Sequence, residues 1–255
     1  MYKYYLENEY VGGDPKFWSK TWSTAGLPNK NSGRSLLYSP EYKEIRRRLS
    51  PPAKILEAGC GHGQWVLRLA QKGYEITGLD FSEPTIEALK KQFPEHSWMI
   101  GDVRKTDFPD NTWDGVLSWG VVEHFENGCD DILQDKFRII RPGGYLFISV
   151  PYINKDLLEE WKDPNGTNYA QLNPARAKFF QYYMTRDEIT AIVKRAGFEV
   201  EDLVPINRYY FKNASKNPII KKAGILGNVI ASPLIDGNRY ASLIMCVARK
   251  PAAKR

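Results

Sequence analysis

The segment that most constrains the fold of this chain is a glycine-rich run between two short apolar stretches. Residues 57–63 read Glu-Ala-Gly-Cys-Gly-His-Gly and directly follow the apolar stretch Lys54-Ile-Leu56. A second apolar stretch, residues 75–80, ends in Asp80, and a helix is expected between them at about residues 63–72. The segment therefore predicts a strand, a glycine turn, a helix and a second strand that ends in a carboxylate.

The residue types of this segment favour a cofactor that contains a nucleoside. Glycine tolerates positive φ and lets a ligand approach the main chain, while the following helix offers unpaired N–H groups at the turn. A carboxylate about twenty residues farther on can accept hydrogen bonds from both ribose hydroxyls, and Asp80 has that position. Gly59, Gly61 and Gly63 alternate as G-x-G-x-G, which departs from the dinucleotide fingerprint and favours a different cofactor.

Later segments continue the same series of strands. They are Ser97–Val103, Trp113–Gly120, which runs on into residues 121–125, and Arg141–Val150, where residues 141–144 are expected to form a turn before the strand. Together with Glu57 before the glycine loop, Asp80 after it and Asp102 at the end of the third strand, the series resembles class I S-adenosylmethionine-dependent methyltransferases over about residues 53–150.

The resemblance implies both a fold and a cofactor. The fold would be α/β, a Rossmann-like doubly wound sheet of seven strands in the order 3-2-1-4-5-7-6, with strand 7 antiparallel. The cofactor would be S-adenosylmethionine and its product S-adenosylhomocysteine. The residues implied to contact the cofactor are Glu57, Gly59, Cys60, Gly61, Gly63, Asp80, Phe81, Asp102, Val103 and Ser118.

The chain is expected to form one methyltransferase domain, in which a cofactor-binding core at residues 53–150 carries three decorations. Residues 1–50 are rich in aromatic side chains and either fold over the cofactor as a cap or pack as a helix on the sheet. Residues 151–184 are too long for an ordinary loop and are expected to form a lid at the acceptor site. Residues 207–239 are expected to be an excursion of the chain between two strands. It either contacts a membrane surface or a second copy of the chain, or simply packs on the domain.

His124 is the candidate catalytic residue, because it follows the fourth strand where acceptor and methyl group should meet. Histidine is also the side chain whose ordinary pKa suits a general base near neutrality. A structural or cofactor-side role stays an alternative. The candidate acceptor contacts are Trp18, Trp22, Tyr182, Tyr183 and Arg186. The three cysteines have no metal-ligand spacing, so no metal is expected.

The acceptor is expected to be a small molecule. Residues 180–188, followed by Ala196-Gly-Phe198, resemble the type 11 subgroup of these methyltransferases, whose members modify quinones, sugars, lipids and other metabolites. The resemblance slightly favours O-methylation and leaves the acceptor and the oligomeric state open.

The charge of the chain suggests an alternative partner. From residue 207 onward ten basic residues face one acidic residue, a surplus of +9, so the first 206 residues carry −3 of the total +6. Such a basic segment can bind an anionic partner, and an RNA- or protein-directed methyltransferase is therefore an alternative. Nucleic acid is the less expected partner, because residues 118–121 read Ser-Trp-Gly-Val where exocyclic-amine methyltransferases have an Asn-Pro-Pro-Tyr-like motif.

A non-catalytic relative that keeps the cofactor fold is a further alternative. Glu57, Gly61, Asp80 and Asp102 are all intact, which argues against it. No apolar stretch approaches the 18 or so residues that cross a membrane, and the first residues lack the apolar core of a signal peptide. A cytoplasmic protein is expected.

Overall fold

The computed structural model describes residues 1–7, 13–29, 31–154, 157, 172–173, 175–206 and 241–252. The basic excursion predicted at residues 207–239 lies outside these ranges, and so does much of the predicted lid. Within the described part of the chain, the helices are too short or too polar to cross a bilayer.

The described residues form nine strands, seven of them in one sheet. The strands are β1 (Tyr2–Glu7), β2 (Lys54–Ala58), β3 (Glu75–Asp80), β4 (Ser97–Ile100), β5 (Trp113–Trp119), β6 (Ile140–Pro151), β7 (Ala177–Tyr183), β8 (Glu199–Ile206) and β9 (Leu243–Arg249). The large sheet has the order β4-β3-β2-β5-β6-β9-β8. Only β9 runs antiparallel to its neighbours, β6 and β8. This confirms the predicted α/β fold, its strand order and its single antiparallel strand.

In the part of the chain that the structure describes, six α-helices accompany the strands. They are α1 (Pro15–Ala25), α2 (Pro40–Arg48), α3 (Gln64–Ala70), α4 (Glu83–Gln92), α5 (Asp130–Ile139) and α6 (Arg186–Arg195). Local chemistry explains several of their starts. The Asp14 carboxylate accepts the backbone N–H of Lys16 just before α1. Thr185 and Glu188 form a capping box at the start of α6.

Helices cover both faces of the large sheet, as a doubly wound fold requires. Adjacent residues of a strand point to opposite faces, so Leu56 and Val116 belong to one apolar cluster, and Ile55 and Leu117 to the other. The first cluster includes residues of α5 and α6, and the second includes residues of α2, α3 and α4. Because β2, β3 and β5 are parallel, their carboxyl ends meet at one edge of the sheet.

The structure corrects the expectation of a turn at residues 141–144. These residues belong to β6, which already pairs with β5 through Ile140 and Trp113. The register then shifts before Gly115, and Gly143 adopts a φ of 80° within the strand. The Pro-Gly-Gly run is therefore an irregularity inside a paired strand rather than a turn before it.

The beginning of the chain pairs with the end of the predicted lid, which the sequence did not indicate. Strands β1 and β7 form a separate two-stranded antiparallel sheet, with Tyr2 opposite Tyr183 and Glu7 opposite Ala177. The Tyr5 ring packs edge-on against Phe179 across this pair at 5.9 Å between centroids. The N-terminal segment and the segment after β6 are thus joined in space.

Candidate functional site

The glycine loop between β2 and α3 is shaped by close packing. Gly59, Gly61 and Gly63 have φ values of 85°, 47° and 65°, a region that favours glycine. A Cβ on Gly59 would lie 2.5 Å from Val121 Cγ2, and one on Gly63 would lie 2.3 Å from the Trp98 ring. The loop therefore needs glycine both for its backbone conformation and for the space that its neighbours occupy.

Asp80 closes β3 beside this loop and is 4% exposed. Its Oδ2 accepts the backbone N–H of Gly61 at 2.9 Å, and its Oδ1 accepts that of Ser82 at 2.9 Å. Burial raises the pKa of Asp80, and these backbone hydrogen bonds partly oppose that rise. Because a carboxylate has about four acceptor positions, Asp80 can still accept hydrogen bonds from two hydroxyl groups of a ligand.

Glu57, at the carboxyl end of β2, is a second buried carboxyl group in the same place. Burial raises its pKa well above the ordinary value; a hydrogen bond from the Val66 backbone opposes this rise, and the nearby Asp80 charge adds to it. Its Oε2 atom is buried and has no partner in the described part of the chain. A cationic ligand between Glu57 and Asp80 would stabilise both groups in their ionised form.

The carboxyl ends of these strands open into a cavity with ≈ 960 Å³ of empty space, its open mouth included. Within the described ranges, its lining contains no lysine or arginine. The residues of the sequence prediction that line it are Trp18, Trp22, Glu57, Gly59, Cys60, Gly61, Asp80, Phe81, Val103 and His124.

Three predicted cofactor contacts lie outside the cavity lining. Gly63 packs against Trp98 instead. The carboxylate of Asp102 binds its neighbour Arg104, with Oδ2 2.6 Å from a guanidinium nitrogen. Ser118 is buried within β5, and its Oγ has no partner among the described residues.

The cavity wall near Ser118 is formed by the next residues of the chain. Trp119, Gly120 and Val121 all line the cavity, because β5 ends at Trp119 and only there does the chain reach the sheet edge. A sequence prediction that ended β5 at Trp119 would have identified these three residues as part of the cavity wall. His62, Gln64, Trp65 and Phe125 are further lining residues that the prediction missed.

Three of the predicted acceptor contacts, Tyr182, Tyr183 and Arg186, also lie outside the lining of this cavity. The Tyr182 hydroxyl donates to the Glu126 carbonyl at 2.7 Å. The Arg186 guanidinium donates to the Leu203 carbonyl at 3.2 Å. Tyr183 lies opposite Tyr2 in the small sheet. These side chains have packing contacts that amino-acid type alone does not distinguish from binding contacts.

Helix α1 supplies the two predicted contacts that do line the cavity, Trp18 and Trp22. Their rings stack on each other with centroids 5.4 Å apart. The Trp18 ring also meets His124 edge-on at 4.9 Å. The aromatic residues of the N-terminal segment thus form one wall of the cavity.

His124 has a defined tautomer. Its Nδ1 lies 2.8 Å from the Phe180 carbonyl, which can only accept, so Nδ1 carries the proton and Nε2 the lone pair. Burial lowers the pKa of His124 to about 4. His124 also lines a second cavity, together with polar residues that include Arg104, Glu126 and Asp131. A neutral imidazole therefore stands at the boundary between an apolar and a polar cavity.

Glu123 precedes His124 and should make the stability of the protein depend on pH. Burial raises its pKa from 4.5 to about 8, and its Oε2 has no partner among the described residues. Between these values the folded protein holds a proton that the unfolded chain releases, so its stability falls as the pH rises. We expect a loss of about 2 kcal/mol between pH 6.5 and 8.

Urea unfolding at pH 6.5, 7.2, 8 and 8.5 checks this expectation. These pH values lie at or above 6.5. Below that, between pH 6.5 and about 4, the lowered pKa of His124 makes the stability of the protein rise with pH instead. Glu123→Gln should make the decline shallower, and Glu57, whose pKa is also raised by burial, should supply a remainder, whereas the exposed control Glu75→Gln should keep the wild-type decline. A parallel decline in wild type and Glu123→Gln would show that Glu123 is not its source.

The cysteine in the glycine loop has no activated thiol. Burial raises the pKa of Cys60 well above its ordinary value, and the nearby carboxyl groups of Glu57 and Asp80 raise it further. A thiol in these surroundings stays protonated and is a poor nucleophile. Cys60 therefore contributes a small side chain to the loop rather than a reactive group.

Comparison with known proteins agrees with this geometry. A family model described as a methyltransferase domain matches residues 32–203, more than half of the chain. A protein of Mycolicibacterium smegmatis named as an S-adenosylmethionine-dependent methyltransferase is 30% identical over 152 residues, which are 60% of this chain and 54% of that protein. The chain thus spans about half the length of this curated relative.

Two further similarities extend over more of the chain. The ubiquinone biosynthesis O-methyltransferase of Pseudomonas aeruginosa is 25% identical over 196 residues, which are 74% of this chain and 79% of that enzyme. The solved structure of an S-adenosylmethionine-dependent methyltransferase from Methanosarcina mazei superposes with a TM-score of 0.60 and 16% identity, over 83% of this chain and 98% of that one.

The unpartnered Glu57 oxygen, the remaining acceptor positions of Asp80 and the open glycine loop fit a nucleoside cofactor that carries positive charge. S-adenosylmethionine is such a molecule, with a sulfonium, an ammonium and two ribose hydroxyls. With the match of the family model, this fit leads to one conclusion: the chain belongs to the class I S-adenosylmethionine-dependent methyltransferases.

Proposed function

We propose that this protein transfers a methyl group from S-adenosylmethionine to a hydroxyl group of a small molecule. The observation that carries the proposal is the position of His124, a neutral imidazole with its proton on Nδ1 at the boundary between two cavities. The first cavity has the carboxylates and glycine loop for the cofactor, and the second has room for an acceptor. The similarity to an O-methyltransferase of ubiquinone biosynthesis supports oxygen as the methylated atom.

The division of labour follows from the chemistry of each group. When bound, S-adenosylmethionine supplies a methyl group that is already electrophilic, so much of the acceleration comes from holding the acceptor in line with it. Asp80 would orient the ribose, and Glu57 would lie near the ammonium. Nε2 of His124 would accept the proton of the acceptor hydroxyl as the oxygen attacks. The Phe180 carbonyl keeps the ring in the tautomer that this step needs.

Replacement of His124 should separate catalysis from cofactor binding. His124→Gln removes the lone pair that accepts the proton, and a general base contributes about 10²- to 10⁴-fold to a rate. We expect kcat for a hydroxyl acceptor to fall in that range, while the dissociation constant of S-adenosylhomocysteine changes less than about threefold. The wild-type rate should stay constant down to about pH 5 and fall below it, because burial lowers the pKa of His124 to about 4.

The measurement is release of S-adenosylhomocysteine with a panel of phenols, sugars and hydroxylated lipids, followed by calorimetry on both proteins. The control is His96→Gln, since His96 lies at the opposite end of the sheet and packs on Phe93. Full turnover by His124→Gln would contradict the assignment of the base. Binding of the cofactor without turnover on any acceptor would favour the non-catalytic alternative.

A further inference from the structure

Two indole N–H groups at the cavity lack a hydrogen-bond partner among the residues that the structure describes. Nε1 of Trp22 and Nε1 of Trp119 are both buried, and neither has a hydrogen-bond acceptor in the described part of the chain. Both tryptophans line the cavity. A buried donor without a partner costs about 1–3 kcal/mol, and such groups are rare in folded proteins. Two of them beside one cavity indicate that a ligand supplies the missing acceptors.

The same cavity has an unpartnered acceptor, Oε2 of Glu57. A ligand that satisfies all three atoms needs a hydrogen-bond donor, preferably cationic, and an acceptor with two oxygens. An α-amino acid group has both, as an ammonium and a carboxylate. Since the described lining has no lysine or arginine, the indole N–H groups are the buried side-chain donors left for a carboxylate.

Trp22 contacts two residues of the glycine loop, Gly61 and His62. A Cβ on Gly61 would lie 2.8 Å from Cζ2 of Trp22, so the indole ring lies directly on the glycine backbone. The Trp22 carbonyl lies 3.0 Å from Nε2 of His62, and its ring is 4.8 Å from the His62 ring. Trp22 therefore belongs with the part of the loop that the cofactor's amino-acid end would approach.

Helix α1 also reaches the loop that follows Asp80. Oγ of Ser19 lies 2.9 Å from Oγ of Ser82, whose backbone N–H donates to Asp80. The helix thus also touches the surroundings of Asp80.

We infer that Trp22 and Trp119 bind the carboxylate of the amino-acid end of S-adenosylmethionine, while Glu57 faces its ammonium. The inference rests on the proposed cofactor and assigns Trp22, which the sequence analysis placed at the acceptor, to the cofactor side. It makes α1 part of the cofactor site, so that the N-terminal segment recognises the amino-acid end of the ligand. A ligand that has the nucleoside but no amino-acid end should not use these donors.

Calorimetry with two ligands tests the inference. S-adenosylhomocysteine has the amino-acid end, and 5′-methylthioadenosine is a thioether of the same nucleoside without it. Trp22→Phe keeps an aromatic ring and removes the N–H group. We expect it to weaken S-adenosylhomocysteine about 10- to 100-fold, the usual effect of losing a hydrogen bond to a charged group. The affinity for 5′-methylthioadenosine should change less than about twofold and serves as the check on folding.

The matched control is Trp113→Phe, since the Trp113 nitrogen is also buried without a partner among the described residues but Trp113 lies outside the cavity lining. It should leave the ratio of the two affinities unchanged. Trp119→Phe repeats the test at the second donor and decides the question if Trp22→Phe does not fold. Equal weakening of both ligands, or no weakening of either, would overturn the inference.

These results are independent of turnover. If wild type binds S-adenosylhomocysteine but methylates no acceptor, the proposed reaction fails and the assignment of the two tryptophans is still tested. If wild type binds neither ligand, the cofactor assignment itself fails, and the inference fails with it.

Discussion

Asp80→Asn should weaken the binding of S-adenosylmethionine and S-adenosylhomocysteine by about 30- to 100-fold, because hydrogen bonds to a charged group contribute about 1.5–3 kcal/mol each. Asparagine has one acceptor oxygen instead of two. The N–H groups of Gly61 and Ser82 compete for it, which leaves little acceptor capacity for ribose hydroxyls. Titration calorimetry on the wild type and the variant measures the loss.

The control for this experiment is Asp107→Asn, an exposed carboxylate outside the cavity lining, which should leave binding unchanged. NAD is a useful comparison ligand, because it shares the adenosine but needs room for a pyrophosphate; the wild type should not bind it. Unchanged affinity in a well-folded Asp80→Asn protein would remove Asp80 from the cofactor site. Loss of folding in that variant is recognised from its thermal unfolding curve.

The second large effect is expected at Gly63, which precedes α3. Gly63→Ala puts an L side chain at a φ of 65° and a Cβ 2.3 Å from the Trp98 ring. Left-handed backbone costs a non-glycine residue about 1–2 kcal/mol, and overpacking costs about 1–3 kcal/mol. We expect the free energy of unfolding to fall by about 3 kcal/mol in all and the Tm by about 6–12 °C.

Gly128 provides a control that separates these two costs. It has a φ of 92°, and nothing lies within 4 Å of the position of its Cβ. Gly128→Ala should therefore show only the backbone cost, about 1–2 kcal/mol. The difference between the two variants, measured by urea unfolding, gives the cost of the contact with Trp98. Equal losses in both variants would mean that the glycine loop relaxes away from Trp98 without cost.

The central sheet could be predicted from the sequence because its signals are local. Each strand is a short apolar run, and the residues at its carboxyl end, such as Glu57 and Asp80, are chemically distinctive. The resemblance to a known family then supplied the order of strands, which local patterns do not contain. For the same reason several residues named from the sequence, such as Glu57 and Asp80, lie in the cavity lining at the ends of β2 and β3.

The differences between the sequence predictions and the structure have a different cause. Tyr182 and Arg186 were chosen by residue type, but their partners, the carbonyls of Glu126 and Leu203, are backbone atoms that no sequence pattern identifies. The pairing of β1 with β7 joins segments about 175 residues apart, and neither strand signals the other. Trp119 was missed because the resemblance to the family implied a contact at Ser118, whereas β5 reaches the sheet edge only at Trp119.

The position of β9 has a consequence for how the chain becomes a folded protein during synthesis. It lies between β6 and β8, and among the described strands β8 has no other neighbour in the sheet. Until residues 243–249 leave the ribosome, β6 presents an open edge and β8 has no sheet to join. A nascent chain that stalls just before β9 would therefore already contain the cofactor loop and both carboxylates, on an unfinished sheet whose exposed edge favours aggregation.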